Sequence, residues 1–421
     1  MNVLIVPGTT LIAREICNSL STMKGIYLFG AGYDAAAAKN FPYHVFNHAG
    51  TLGSKNLKDE LEVIVERQEI DFIIFAHDSW IFEFRNLDSI GEAKIIKNPC
   101  AAIEICSFKS STYGFLREDV STPTIFKLAE EVQDFPVFLK PNRGQGSIGA
   151  LKIDSRKELE PFMDSEGRFY DHWVVSEFLP GIEYTIDCFS ALNGDLLYSS
   201  PRIRMAIESG LAVETKIIRH PQLSIWASRI SKKLLLNGPW FFQVKEDSKG
   251  SLKLMEIGLR VAGGSGVQRL KGVNLSQLNI LQSQGKVLEI LNQNVFPCKK
   301  KNEIDLDFDY QEIYVDYDDT LIVNFVLNHK LIAFLESEIN RGIIVTLITR
   351  HSGNLEDSLT QFGIRELFSR IIHITNKHLK SKYIDSNVKF LFIDDSFRER
   401  SDVSVQFGNR GLVLDESFVL E

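Results

Sequence analysis

Asp316 and Asp318 stand two positions apart at the end of the apolar run Tyr314-Val315, and Thr320 and Leu321 follow them. An Asp-x-Asp pair in that setting suits phosphoryl transfer, because the first carboxylate can attack phosphorus and the second can move the proton. Three further groups follow in order. Thr349 ends the apolar run Ile343 to Ile348, Lys380 precedes Ser381, and Asp394 and Asp395 end Phe390 to Ile393. A second chemical feature lies mid-chain, where Val137-Phe138-Leu139-Lys140-Pro141 runs into Asn142-Arg143-Gly144-Gln145-Gly146-Ser147-Ile148-Gly149. Glycines so closely spaced let successive main-chain N–H groups face an anion, and Lys140 adds a point charge suited to phosphate. It is not a P-loop, since the Gly-Lys-Ser/Thr ending is absent.

The elements that must position these groups follow from the apolar pattern. Asn2 to Val6 predicts a buried strand, Pro7-Gly8-Thr9-Thr10 its turn and Leu11 to Leu20 an amphipathic helix; Ile26 to Phe29 and Asp71 to Ala76 predict further strands, the latter after a helix over Leu57 to Gln68. Alternating strands and helices indicate a small doubly wound domain. Trp173 to Asp187 predicts strand, glycine turn and strand; Trp240 to Val244 and Leu252 to Arg260 predict a hairpin that turns Gln243 and Glu256 inward. Polar residues around Cys298 to Glu303, after Pro297, mark a boundary. The predicted organisation is α/β and α+β multidomain: residues 1–106, 107–291, a linker over 292–309, and 310–421.

The last segment's motifs resemble the haloacid dehalogenase (HAD) superfamily, mostly magnesium-dependent phosphatases with a Rossmann-like fold. The resemblance implies Asp316 as nucleophile, Asp318 as general acid and base, Thr349 on a phosphoryl oxygen and Lys380 neutralising charge. Asp394, with Asp395 in support, would hold Mg²⁺ together with Asp316 and the main-chain carbonyl of Asp318. The plainer reading makes Asp318 and Asp319 a helix cap and Asp394-Asp395 a solvated turn. Three apolar strands each ending in a polar group favour the ligand site, because open α/β sheets bind ligands at those ends. Spacings of about 28 and 30 residues between Thr320, Thr349 and Lys380 leave no room for a large cap, so the site should be open. Cover is expected from the preceding region or from a second subunit of a homo-oligomer.

Residues 1–291 resemble the ATP-grasp superfamily, near the carbamoyl-phosphate synthase large-subunit type, with a doubly wound pre-ATP-grasp domain in front. That resemblance implies ATP phosphates on Lys109 and Lys140 and a lid over Gly144, Gly146, Ser147 and Gly149. Adenine would meet Glu177 and the Leu179 backbone, ribose Glu183, Mg²⁺ Gln243 and Glu256, and the acyl-phosphate Arg260. The chemistry implied is ATP-driven joining of a small carboxylate to an amine. One position departs: Glu256-Ile257-Gly258-Leu259-Arg260 carries Gly258 where the superfamily has an Asn metal ligand. Water could fill the place, or affinity for a second metal could be lost. Two functions are therefore expected, a ligase joined to a phosphatase acting on a phosphorylated metabolite, substrate or product of the same step. The alternative is a phosphatase regulated by a nucleotide-binding but catalytically poor module.

Composition narrows the classes. A 421-residue chain with 44% apolar and 24% charged residues can bury several cores. Its net charge of −8 argues against nucleic acid or an anionic membrane as partner. Five cysteines without a C-x-x-C pairing, no signal-like start and no membrane-length apolar run point to the cytoplasm. Gly30-x-Gly32 lacks the third glycine of a dinucleotide fingerprint, and His44, His48 and His77 with Asp78 match no short metal motif, so both are expected to be structural.

Overall fold

The computed structural model describes all residues except 40, 147, 209–210, 291–298, 301–303, 306–307, 386 and 420–421. Residues β1 (Asn2–Val6), β2 (Tyr27–Gly32), β3 (Val45–His48), β4 (Phe72–Phe75), β5 (Ser89–Ile90) and β6 (Ala93–Ile96) form one sheet in the order β3-β2-β1-β4-β6-β5. Its pairings are parallel apart from β5 on β6. The apolar run of β1 is buried on both faces, and Thr10 caps the following helix Leu11–Leu20 by accepting from the Ala13 amide at 3.0 Å. The predicted strands are present, with β2 running three residues further than its pattern to Gly32.

The middle region holds two antiparallel sheets. A small one orders as β7-β10-β8-β9, from β7 (Ile125–Phe126), β8 (Val137–Pro141), β9 (Leu151–Ile153) and β10 (Trp173–Glu177). The larger contains β11 (Glu183–Ser190), β12 (Leu196–Glu208), β13 (Leu211–Ile217), β14 (Gly238–Glu246) and β15 (Leu252–Gly258), ordered β15-β14-β11-β12-β13. The predicted strand–turn–strand over Trp173 to Asp187 is thus a crossing between sheets, because Pro180-Gly181 redirects the chain. Gly181 sits against Glu246, whose Cβ would lie 2.5 Å from an added methyl. In the stretch read as a linker, β16 (Lys299–Lys300) and β17 (Ile304–Asp305) extend the larger sheet beyond β13; the rest of that stretch falls mostly outside the described residues.

The last region is a parallel sheet of β18 (Glu312–Val315), β21 (Ile344–Thr349), β22 (Arg370–His373), β23 (Phe390–Ile393) and β24 (Gly411–Leu414), ordered β22-β21-β18-β23-β24. A short hairpin, β19 (Ile322–Val323) with β20 (Val326–Leu327), and the helix His329–Asn340 separate β18 from β21. Asn328 caps that helix, and Gly363, at φ +68, closes the next one, Leu355–Phe362.

Packing does not respect the sequence boundaries. Val6, Phe75 and Trp80 share a core with Ile186, Trp240 and Leu254, tying the first sheet to the larger middle sheet. Val267 and Leu270, in the 3₁₀ turn Ser265–Lys271, pack with Val315, Leu347 and Leu414 of the last sheet. Arg269 of that turn is buried, ion-paired with Glu15 and donating to Ser19 Oγ at 2.8 Å and to the Ser417 carbonyl at 3.2 Å, so three regions meet on one guanidinium. Among the described residues Cys17, Cys100, Cys106 and Cys188 are free thiols, and no helix is long and apolar enough to cross a membrane.

Candidate active sites

The first site lies where the hairpin β14–β15 faces the glycine loop. Gln243 and Glu256 are direct cross-strand partners, so their side chains share one face of the sheet. With Lys109, Lys140, Gly144, Gly146, Glu183 and Arg204 they line a cleft of about 190 Å³. Lys140 is buried at the end of β8 and donates to the Tyr113 hydroxyl at 2.8 Å, which donates to the Met255 carbonyl at 2.6 Å. Burial lowers Lys140 to about 8 against the opposing pull of Glu256 and Glu183. Burial likewise lowers Lys109 and raises Glu256, each opposed by the other's charge. Such a strained cluster of charges in a cleft marks a functional site more often than a structural one.

The loop itself is tied down. Lys109 Nζ donates to the Gly144 carbonyl at 3.0 Å, and the Gln145 side chain bridges His77 and Arg260 Nη2, the latter at 3.1 Å. Gly149 adopts φ +74, and a side chain there would meet Pro141 at 3.1 Å. Ser147 lies outside the described residues. Arg260 is held by two bonds to Asp78 of the first domain, at 3.1 and 2.7 Å. These groups border a second hollow that shares Lys109, Gly144, Gln145 and Glu256 with the cleft.

Two expected nucleotide contacts stand apart from the cleft lining. Glu177 accepts from the Thr124 amide at 2.8 Å and lies 3.4 Å from Lys253, so its carboxylate braces β7 and β15; Leu179 is buried beside it. Glu183 does line the cleft, but its carboxylate is already ion-paired with Arg204. At Gly258 the space of the expected Asn is filled. Phe241, its cross-strand partner, would come within 2.2 Å of an added Cβ, and its ring lies 5.2 Å from the Arg260 guanidinium. Tyr113, Gln145 and Arg204 were not singled out from the sequence, and Asp78, expected to be structural, holds Arg260 at the site. Gln145 sits between two loop glycines and was the one with a local signal.

The second site lies at the C-terminal ends of β18, β21 and β23. Lys380 Nζ stands 2.6 Å from Asp316 Oδ1 and 2.6 Å from Asp394 Oδ2, all three buried. Carboxylate oxygens of Asp316, Asp394 and Asp395 lie within 4.8 Å of one another, an all-oxygen set that suits a hard divalent cation. Burial raises Asp316 to about 6 and Asp395 to about 6, and burial with the charge of Asp316 raises Asp394 to about 7. Burial pulls Lys380 down, but the charges of Asp316 and Asp394 more than reverse that and leave it above its ordinary value.

The surroundings fix these groups. The Asp316 amide donates to the Ile393 carbonyl at 2.9 Å, locking β18 to β23, and the Asp395 amide donates to Thr320 Oγ1 at 3.0 Å. Asp394 Oδ1 accepts from the Ser396 amide at 2.8 Å. Glu399 accepts from the Lys380 amide at 2.8 Å and from Arg350 at 2.6 Å, which sets the turn that carries Lys380. Thr349 is buried at the end of β21, its Oγ1 accepting from the His351 amide at 3.2 Å. The His351 ring reaches Asp318 at 2.9 Å. His351 stands two residues after Thr349 as Asp318 stands two after Asp316, a spacing visible in the sequence. His44 accepts from the Leu28 amide, a structural role.

Residues 169–304 match the family described as ATP-grasp in the biosynthetic pathway with Ter operon. A D-alanine–D-alanine ligase of Bacteroides fragilis is 22% identical over 223 residues, covering 47% of this chain and 66% of the ligase. The Thermotoga petrophila ligase is 28% identical over 94 residues, so the chain spans about a third of that relative's length, 31%. Among solved structures, the biotin carboxylase domain of Hydrogenobacter thermophilus 2-oxoglutarate carboxylase, in complex with MgADP, ADP and bicarbonate, superposes with a TM-score of 0.59 at 13% identity. It covers 71% of this chain and 73% of that one. The Staphylococcus aureus N5-carboxyaminoimidazole synthetase complexed with ADP gives 0.55 at 14% identity over 71% and 80%. The likeness to carbamoyl-phosphate synthase drawn from the motifs has no counterpart among these. The chain is a mixed α/β multidomain protein with an ATP-grasp fold.

Proposed function

We propose that this chain is a bifunctional enzyme: an ATP-dependent carboxylate–amine ligase joined to a phosphatase of the HAD type that acts on a phosphorylated substrate or product of the same step. In this reading residues 1–106 and 107–291 form the ligase and residues 310–421 the phosphatase. The observation that carries it is the pair of buried lysines, Lys140 and Lys380, each set among carboxylates where a phosphoryl group can sit. The ligase relatives and the nucleotide-bound neighbours support the first half; the four ordered motifs and their convergence support the second.

At the ligase site, Lys109 and Lys140 would meet the phosphates of ATP and Glu256 with Gln243 would hold Mg²⁺, whose oxygen preference fits both side chains. Mg²⁺ at either site would neutralise phosphoryl charge. Arg260, now on Asp78, is placed to change partner for an acyl-phosphate oxygen, and the Gln145 bridge would carry the loop with it. At the phosphatase site, Asp316 attacks as the carboxylate while Lys380 steadies both it and the phosphoryl oxygens. Asp318 delivers the proton to the leaving oxygen, oriented by His351. Thr349 fixes the phosphoryl group.

Phosphate release from a panel of phosphomonoesters, with Asp316→Asn as control, tests the phosphatase; turnover retained in that variant removes Asp316 as nucleophile. ADP formation that requires both a carboxylate and an amine and is lost in Lys140→Ala tests the ligase. One observation favours a second reading, in which the ATP-grasp region binds nucleotide and regulates the phosphatase: Phe241 occupies the place of the missing Asn ligand. ATP that raises phosphatase turnover, with no ADP formed from any carboxylate and amine offered, would establish it.

A further inference from the structure

Beside the short hairpin β19–β20, the first region touches the segment that follows Asp318 at the proposed phosphatase site. Lys24 Nζ contacts Asp319 Oδ2 at 2.7 Å, and the Gly25 amide meets Asn324 Oδ1 at 3.3 Å at the hairpin tip. The buried knot of Arg269 with Glu15 and Ser417 fixes this docking from below. Lys24 lies on the turn between the helix Leu11–Leu20 and β2, so its position is set by a different domain from the one that holds Asp316.

Resting on the phosphatase reading, we infer that Lys24 belongs to the phosphatase site and determines its specificity, selecting phosphomonoesters that carry a carboxylate beside the phosphoryl group. The charge balance leads there. Asp316, Asp318, Asp319, Asp394 and Asp395 gather five carboxylates at the strand ends. Against them, Lys380 is buried and engaged on two, Arg400 donates to the Asp395 carbonyl at 2.7 Å, and Arg350 is held by Glu399. A substrate anion outside the phosphoryl pocket therefore faces these carboxylates, and Lys24, whose side chain is 73% exposed, is an ammonium set beside them on Asp319. An ammonium has three donors and Asp319 takes one, which leaves donors for a carboxylate. A carboxylate is also the group that the ligase half would activate, so one compound suits both sites.

The test compares 3-phosphoglycerate, which carries a carboxylate, with p-nitrophenyl phosphate, which does not. Lys24→Ala is expected to raise KM for 3-phosphoglycerate about fivefold, in keeping with the worth of an exposed ion pair. It should leave kcat, the KM for p-nitrophenyl phosphate and inhibition by inorganic phosphate within about twofold. Lys24→Glu should raise the same KM further, and Lys24→Arg should restore it. Binding of 3-phosphoglycerate to the Asp316→Asn protein, followed by calorimetry, should weaken by the same factor when Lys24→Ala is added. A KM for 3-phosphoglycerate that does not change, or an equal loss with both esters, overturns the assignment of Lys24 while leaving the phosphatase standing. Absence of Asp316-dependent hydrolysis of either ester overturns the phosphatase reading and this one with it.

Discussion

Gly258 offers a direct test of how the ATP-grasp site departs from its expected pattern. A Cβ at this position would lie 2.2 Å from Phe241 Cε1 and 2.3 Å from Cζ, far inside contact distance, and Phe241 is itself buried. Gly258→Ala should therefore force the ring aside and cost about 1–3 kcal/mol by overpacking. Phe241→Leu removes the two atoms in conflict, so in that background the same Gly258→Ala step should cost less than about 1 kcal/mol. The double-mutant cycle then gives a coupling of about 1–2 kcal/mol, measurable from urea denaturation midpoints of the four proteins. Equal costs in both backgrounds would refute the claim that Phe241 dictates glycine here. The cycle has a functional arm as well. Phe241→Leu/Gly258→Asn restores an oxygen ligand beside Glu256 and should lower the Mg²⁺ concentration needed for nucleotide binding. An unchanged requirement would show that the metal site does not use this position.

Three other perturbations follow from the geometry. Lys140, held at about 8, should keep nucleotide affinity level up to that pH and lose it progressively above, as the ammonium that meets phosphate deprotonates; a titration of ATP binding from pH 6.5 to 9.5, by calorimetry, reads this. The stability sign is opposite: the folded chain sheds this proton at about 8 and the unfolded chain at 10.5, so the contribution of Lys140 to stability rises with pH across that interval and its penalty is complete below it. Arg269→Met should destabilise the protein by about 3–5 kcal/mol, because it strands the buried Glu15 carboxylate, and adding Glu15→Gln should recover part of the loss in the same denaturation assay. Gln145→Ala frees the glycine loop from His77 and Arg260, and limited proteolysis at residues 144–149 should become several-fold faster without nucleotide.

Local chemistry was legible wherever a strand end names it. Asp316, Thr349 and Asp394 each close an apolar run, and parallel neighbours in a sheet bring such ends to one edge, so their convergence follows from β18 lying between β21 and β23. Lys380 was legible only through its place in the order, for it reaches the site from a 3₁₀ turn whose geometry depends on Glu399, nineteen residues later. Gln243 and Glu256 could be paired because a hairpin fixes its own register over a short loop. Glu177 could not be placed, since its partners come from the residue before β7 and from a strand of the other sheet, Thr124 and Lys253, which no local pattern links to it.

What the sequence hides most completely is contact between domains, because burial of one surface against another leaves no periodic mark. Lys24 sits in an ordinary surface turn, Arg269 in a short 3₁₀ segment, and Asp78 opens a six-residue helix, yet these three tie the regions together. Asp78 joins the first region to Arg260 at the proposed ligase site, and Lys24 joins the same region to Asp319 at the proposed phosphatase site. Both candidate centres therefore meet a charged group from the connections of one small sheet, Lys24 before β2 and Asp78 after β4. A rotation of that region toward one site is expected to disturb the other, since Glu15 pairs with Arg269, and Val267 and Leu270 of the same turn pack in the core of the last sheet. Coupling of the two proposed activities would then be a property of rigid docking. It can be read by whether Asp78→Asn, which touches only the ligase side, alters the KM that Lys24 sets on the other; an unaltered KM would show that the two centres share a scaffold without sharing a state.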